Sequence, residues 1–122
     1  MTIKLSTLPK TWIFDVDGTL VIHNGHLTGQ DKLLDGVKQE FDRIPVTDTI
    51  ILLTAREEQY QTQLEEFLKA HGIRYDFIIT GIPQGERIIV NDRKPSGLTT
   101  AYAINKDRDS ALVLDYEIDD QL

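Results

Sequence analysis

The chain has 122 residues, of which 40% are hydrophobic, and its 13 basic and 20 acidic side chains give a formal net charge of −7. This length and hydrophobic content predict a single folded domain over residues 1–122 and exclude a disordered chain. The acidic balance argues against tight binding to nucleic acid or to an anionic membrane. The lack of cysteine excludes disulfides and thiolate sites.

Targeting signals are not evident in the sequence. Residues 1–5 lack the long apolar core of a signal peptide, and no apolar run is long enough to cross a bilayer. We therefore expect a cytoplasmic protein with no membrane contact.

In chain order, the first predicted element after an irregular lead-in is a buried strand over residues 11–16, in which apolar side chains surround Asp15. An Asn-Gly dipeptide then predicts a small β-hairpin flap over residues 21–28, directly after the strand. Apolar residues at helical spacing predict a helix over residues 31–43.

The second half of the chain continues the alternation of strands and helices. The near-continuous apolar run at residues 49–54 is typical of a parallel strand that is buried on both faces. A helix is predicted over residues 57–71, and further strands over residues 75–80 and 87–91. Residues 100–104 fit either a fifth strand or a helical turn, and the acidic tail from Asp115 is expected to be solvated.

Alternating strands and helices predict an α/β fold, with a parallel sheet that carries helices on both faces. In such sheets, ligands bind beyond the carboxyl ends of the strands. Three polar pairs follow predicted strands at those ends: Asp15 and Asp17, Thr54 and Arg56, and Asp92 and Lys94. The sequence therefore predicts one polar site at this edge of the sheet.

Residues 15–20, Asp-Val-Asp-Gly-Thr-Leu, resemble the DxDGT signature of the haloacid dehalogenase (HAD) superfamily of phosphotransferases. Residues 53–56, Leu-Thr-Ala-Arg, resemble its second motif, and residues 90–92, Val-Asn-Asp, resemble its fourth. The matches occur in the family's order. The resemblance implies a three-layer Rossmann-like core, and the segment between Leu20 and Thr49 holds a flap and one helix but no cap domain.

The resemblance also implies a reaction. Asp15 would attack phosphorus and form an aspartyl-phosphate, and Asp17 would protonate the leaving oxygen and then activate water. Mg²⁺ would be held by the Asp15 carboxylate, the backbone carbonyl of Asp17 and the Asp92 carboxylate.

The transferring phosphoryl group would be held by the Thr54 hydroxyl and by the turn at Gly18 and Thr19. The sequence departs from the family pattern at the third motif, a Lys or Arg that offsets the developing charge. The segment that precedes the predicted strand over residues 87–91 is too short for the helix on which this residue commonly lies.

Three residues are candidates for that cation. Lys94 is ranked first because it is two residues past Asp92, at the end of the strand that faces the site. Arg87 lies near the opposite end of the same predicted strand, and Arg56 follows Thr54.

The leading hypothesis is a Mg²⁺-dependent phosphomonoester hydrolase. The small, capless chain resembles sugar-phosphate phosphatases, which favours a sugar phosphate as substrate and a homo-oligomer. The run Leu-Thr-Ala-Arg also resembles the 3′-phosphatase halves of polynucleotide kinases, and the net charge of −7 ranks this polynucleotide alternative lower. A hypothesis from another class is a non-catalytic binding or regulatory module, which the missing third motif favours.

Overall fold

The computed structural model describes residues 2–122 and contains five strands and two α-helices. The strands are β1 (Ile3–Leu5), β2 (Thr11–Asp15), β3 (Thr49–Leu53), β4 (Phe77–Ile79) and β5 (Tyr116–Ile118). The helices are α1 (Val37–Asp42) and α2 (Gln61–Ala70), with short 3₁₀ turns at Gly25–Thr28 and Glu58–Tyr60. No helix within residues 2–122 combines the length and the apolar character needed to cross a membrane.

The main sheet has the strand order β2-β3-β4, and all of its strands are parallel. Phe14 of β2 lies opposite Leu52 of β3, which lies opposite Ile78 of β4. The α/β class and the three parallel strands predicted from residues 11–16, 49–54 and 75–80 are confirmed. Parallel order follows because a crossover containing a helix joins each strand to the next.

One face of this sheet forms the core of the protein. Phe14 and Leu52 point into it, and the Phe14 ring lies 4.6 Å from that of Phe41 on α1. Leu64 and Leu68 of α2 are fully buried in the same apolar cluster. Both helices therefore cover the same face of the sheet, whereas the sequence predicted helices on both faces.

The two ends of the chain form a second, smaller sheet. β1 pairs in parallel with β5, and Lys4 forms an ion pair with Glu117 across the two strands. Trp12 of the main sheet packs 5.2 Å from the ring of Tyr116, over which the guanidinium of Arg43 lies at 4.3 Å. The sequence predicted neither strand, because three residues are too few to show a hydrophobic period. The tail from Asp115 is mostly exposed, as expected.

The segment after β2 differs from the predicted tight hairpin. Asn24 has a left-handed backbone (φ 59°), and the chain continues into the 3₁₀ turn Gly25–Thr28 instead of reversing at the Asn-Gly dipeptide. The antiparallel contact lies further out, where the amide of Ile22 donates to the carbonyl oxygen of Lys32 at 2.9 Å. The flap is therefore a wide loop, and the helix predicted over residues 31–43 begins only at Val37.

The strand predicted over residues 87–91 is wrong: residues 82–105 contain no helix or strand. Ile88 and Val90 are 85% and 92% exposed, so they pack against nothing that removes them from water. A run of β-branched residues favours extended backbone, but it becomes a strand only when a neighbouring edge accepts its hydrogen bonds. The alternatives for residues 100–104 also fail, since neither a strand nor a helical turn forms there.

Candidate active site

Asp15 is the last residue of β2, at the carboxyl edge of the main sheet. Its Oδ2 accepts a hydrogen bond from the Thr19 hydroxyl at 2.9 Å, and its Oδ1 accepts one from Arg87 Nη1 at 3.0 Å. The turn that brings Thr19 back passes through Gly18, whose φ of 85° is a conformation that favours glycine. The Asp15 side chain is 34% exposed, so one carboxylate at this edge faces solvent.

Asp17 lies in the turn beyond the strand, and its carboxylate is held from two sides. Its Oδ2 accepts from the Thr54 hydroxyl at 2.8 Å, and its Oδ1 accepts from Arg56 Nε at 2.9 Å. The side chain is only 14% exposed. The structure therefore brings the first and second motifs into direct contact through Asp17, while Asp15 beside it remains more accessible.

Arg56 is a buried structural cation. Its side chain is 1% exposed, and besides Asp17 it donates to both carboxylate oxygens of Asp31, at 2.7 and 3.0 Å. Burial lowers the pKa of Arg56, but its hydrogen bonds to Asp31 and Asp17 outweigh this, and the pKa lies above its usual value. The guanidinium, one of the three candidates for the third-motif cation, is thus held by two carboxylates within the protein.

Asp31 is a site residue that the sequence analysis missed. In the sequence it was only the first residue of the helix predicted over residues 31–43, a position where an acid is common. The one available signal was Arg56 itself, since a buried arginine requires carboxylates around it.

His26 lies beside this ion cluster. Its Nδ1 is 4.0 Å from Asp17 Oδ1, and within residues 2–122 this buried nitrogen has no hydrogen-bond partner. The ring packs edge-on against Tyr60, with centroids 4.8 Å apart. Burial, aided by the positive charge of Arg56, lowers the pKa of His26 below its usual 6.5, so the neutral ring is favoured.

This shift predicts a pH dependence of stability. Because the folded chain resists protonation at His26 while the unfolded chain accepts it, the free energy of unfolding should fall as the pH decreases below 6.5. Urea unfolding between pH 7.5 and 5 should show this loss in the wild type and a smaller loss in His26→Gln. The matched control His71→Gln, at an exposed position, should keep the wild-type dependence. An identical pH profile for His26→Gln and the wild type would contradict the prediction.

A polar pocket of about 240 Å³ opens beside Asp15. It is lined by Asp15, Asp17, Gly18, Thr19, Lys106 and Arg108. Lys106 Nζ donates to the carbonyl oxygens of Gly18 and Asp107, both at 3.0 Å, and burial lowers its pKa. A larger open hollow, of about 550 Å³, lies against α2 and is lined by none of these residues.

Lys106 and Arg108 were also missed by the sequence analysis. Residues 106–109 alternate basic and acidic side chains, a pattern typical of an exposed loop. The loop is held at the site because the amide of Asp109 donates to the carbonyl oxygen of Gly18 at 2.9 Å, and the Asp109 side chain accepts from the amide of His23 at 2.8 Å. Such long-range contacts leave no local trace in the sequence.

The other predicted site residues lie outside this pocket. Thr54 is fully buried, and its hydroxyl donates a hydrogen bond to Asp17, so Thr54 fixes the position of that carboxylate. Asp92 and Lys94 lie in the exposed segment after Val90, where the amide of Lys94 donates to the carbonyl oxygen of Leu98 at 3.1 Å. The structure thus brings the first two motifs together, and the residues of the fourth do not line the pocket.

The described residues do not fit the predicted Mg²⁺ site. Both carboxylate oxygens of Asp15 already accept hydrogen bonds from protein groups, and Asp92 does not line the pocket beside Asp15. Nowhere in residues 2–122 do three or more His, Cys, Asp or Glu side chains gather so that they could hold a metal ion. Positive charge at this edge comes instead from Arg56, Arg87 and Lys106.

Comparison with protein-family models and with curated proteins finds no match for this sequence. Among solved structures, a chain in the Pnkp1/Rnl/Hen1 complex is similar to this protein, with a TM-score of 0.53 and 30% sequence identity. The similarity covers 67% of this chain but only 31% of the chain in that complex. This protein therefore spans less than a third of the length of the chain that it matches.

Proposed function

We propose that this protein is a phosphomonoester hydrolase in which Asp15 is the nucleophile. The observation that carries the proposal is the contrast between two adjacent carboxylates: Asp15 is partly exposed and lines a polar pocket with Lys106, whereas Asp17 is locked by Thr54 and Arg56. The resemblance of residues 15–20 and 53–56 to HAD motifs supports the same assignment.

The chemistry proceeds in two steps. An oxygen of Asp15 forms a bond to phosphorus while the bond from phosphorus to the ester oxygen breaks. To act as the acid, Asp17 must enter this step protonated, with one of its oxygens released by Thr54 or Arg56, and it gives that proton to the leaving oxygen. Water then attacks the aspartyl-phosphate, Asp17 takes its proton, and inorganic phosphate leaves. Arg87 must release Asp15 Oδ1, which it holds at 3.0 Å, before the first bond can form.

Lys106 is the cation that we assign to the phosphoryl group. An ammonium has three N–H donors, and two of those on Lys106 are used by the carbonyl oxygens of Gly18 and Asp107. The third is left for a phosphoryl oxygen in the pocket, where it would offset the charge that develops during transfer.

Lys106→Met should reduce kcat by roughly a hundredfold, the usual cost of losing a donor to a developing oxyanion. Lys94→Met, which removes the cation ranked first from sequence, should change kcat little. Steady-state kinetics on a common phosphomonoester checks both variants. A large loss in Lys94→Met with near-normal Lys106→Met would return the role to Lys94.

Mg²⁺ dependence remains a separate proposal, because the described residues do not assemble the expected ligands. The assay is phosphate release with EDTA and with a Mg²⁺ series. A strict Mg²⁺ requirement would support the proposal that Asp15 and Asp17 contribute to a metal site. Undiminished activity in EDTA would support catalysis with side-chain cations alone.

The substrate that we favour is the 3′-phosphate end of a polynucleotide. The resemblance of residues 53–56 to polynucleotide 3′-phosphatases supports it, as does the similarity to a chain of the Pnkp1/Rnl/Hen1 complex. The net charge of −7 opposes nucleic-acid binding, but Arg87, Lys106 and Arg108 place positive charge around Asp15. A sugar phosphate is the second candidate, supported by the small, open pocket.

Phosphate release from 3′-phosphorylated oligonucleotides and from a panel of sugar phosphates, each over a salt series, tests this choice. We expect turnover of the oligonucleotide, with KM rising steeply with salt because phosphate contacts release counterions. Turnover of sugar phosphates alone, insensitive to salt, would refute the polynucleotide assignment and retain the hydrolase.

A non-catalytic module that binds phosphorylated ligands is the alternative from another class. The ion pair between Arg87 and Asp15 favours this alternative, since Arg87 blocks an oxygen of the proposed nucleophile. If the protein binds inorganic phosphate but turns over no phosphomonoester, with or without Mg²⁺, it is a non-catalytic binding module.

A further inference from the structure

Among residues 2–122, nothing forms a covering layer on one apolar face of the main sheet. Three residues on it, Ile13, Phe77 and Ile79, are 46%, 60% and 47% exposed. The register aligns them with two partly buried residues of β3, Ile51 and Leu53. We call this surface the open face. Parallel sheets are almost always covered on both faces, so a surface of this kind normally meets another apolar layer.

The open face leads directly to the proposed nucleophile. Side chains alternate along a strand, so Asp15 is on the same face as Ile13 and opposite to Phe14. Asp15 also shares a register rung with Leu53 and Ile79. Whatever covers the open face therefore borders Asp15.

A second exposed apolar surface lies on the same chain. Residues 83–105, here called the strap, have no regular structure, and such long loops in compact domains are usually functional. The strap carries Ile88, Ile89 and Val90, which are 85%, 52% and 92% exposed. These residues belong to the run that the sequence predicted as a strand over residues 87–91.

Both ends of the strap are fastened at the edge of the sheet that carries Asp15. Before it, the amide of Ile82 donates to the carbonyl oxygen of Thr54 at 3.0 Å, and after it, Lys106 donates to Gly18 at 3.0 Å. Within it, Arg87 contacts Asp15 at 3.0 Å. Ile89 is two residues past Arg87, about 7 Å of extended chain, and Ile13 is two residues before Asp15.

We propose that the strap closes over the open face, with Ile88, Ile89 and Val90 packing against Ile13 and Phe77. Closure removes both apolar surfaces from water, which is the main favourable term in packing. It is an intramolecular step because Arg87 already holds the strap beside Asp15, so it does not depend on protein concentration. It also covers Asp15 and does not depend on the proposed reaction.

Disulfide trapping tests the closure, since the natural chain has no cysteine to interfere. Ile13→Cys combined with Ile89→Cys should form an intrachain disulfide under mild oxidation of the folded protein. The control pair combines Ile89→Cys with Val46→Cys, an 86% exposed position before β3, at the opposite end of the sheet from Asp15. Equal rates for the two pairs would overturn the proposal. So would disulfides between chains for the first pair, which would mean that a second copy covers the open face.

Hydrogen exchange on the unmodified protein provides a test that needs no engineered cysteine. Closure should slow exchange at residues 88–90 by about tenfold or more relative to an unstructured chain. Phe77→Ser, which removes part of the receiving surface, should abolish that protection, whereas Val46→Ser should not. Exchange of residues 88–90 in the wild type at the unstructured rate would overturn the proposal, whether or not the protein proves to be a hydrolase.

Discussion

Asp15→Asn should lower turnover of phosphomonoesters by on the order of 10⁴-fold or more, because an amide cannot attack phosphorus and losing the nucleophile removes the covalent route. The fold should survive the change. Asn keeps the size of Asp, and its amide oxygen still accepts from Thr19 or Arg87, the present partners of Asp15. Initial rates of phosphate release measure the first effect, and thermal unfolding measures the second.

The control for this experiment is Asp42→Asn, which makes the same chemical change at a carboxylate on α1 that is 58% exposed and paired only with Lys38 in the described structure. It should retain wild-type turnover. Asp15→Asn with activity near that of this control would remove Asp15 from the mechanism and favour the non-catalytic module.

Arg56→Met should destabilise the protein by about 3–5 kcal/mol, the usual cost of breaking a buried ion pair from one side. The change leaves two carboxylates without their cation, and those of Asp31 and Asp17 are only 3% and 14% exposed. Met has nearly the same length, so the loss is electrostatic more than a cavity. Urea unfolding at pH 7 measures the difference in the free energy of unfolding.

Two further measurements separate this charge effect from a packing effect. The deficit of Arg56→Met should shrink in acid, since protonation neutralises the stranded carboxylates, and it should shrink when Asp31→Asn is added to the variant. Arg74→Met, at a side chain that is 35% exposed and pairs with Asp76, should cost far less. Equal losses at Arg56 and Arg74 would show that the cluster does not support the fold.

The same variant bears on the site. Arg56 Nε is one of the two groups that hold the Asp17 carboxylate, so its removal should also lower kcat for the variant that remains folded. This places Arg56 as a positioning residue that acts through Asp17. Arg56 was one of three candidates from sequence for the cation of the third motif, and in the structure its side chain is buried.

The sequence predicted the strands and helices of the first 80 residues more accurately than the structure of the remaining chain. β2 and β3 were predicted to within one residue because their apolar runs are long and bounded by polar turns. Both α2 and β4 were placed correctly but predicted longer than they are. From residue 82 onward, the hydrophobic pattern predicted a strand that does not form, since the apolar run over Ile88 and Val90 lies exposed in the strap.

The sequence by itself determined the elements whose cause is local: the apolar strand that ends at Asp15, the glycine turn at Gly18, and the apolar strand β3. Only the tertiary structure decided that Asp31 shares Arg56 with Asp17 and that Lys106 lies in the Asp15 pocket. Strand and turn preferences act between neighbouring residues and can be read in order along the chain. An ion pair or a pocket depends on which distant segments meet, and that follows from the packing of the whole chain.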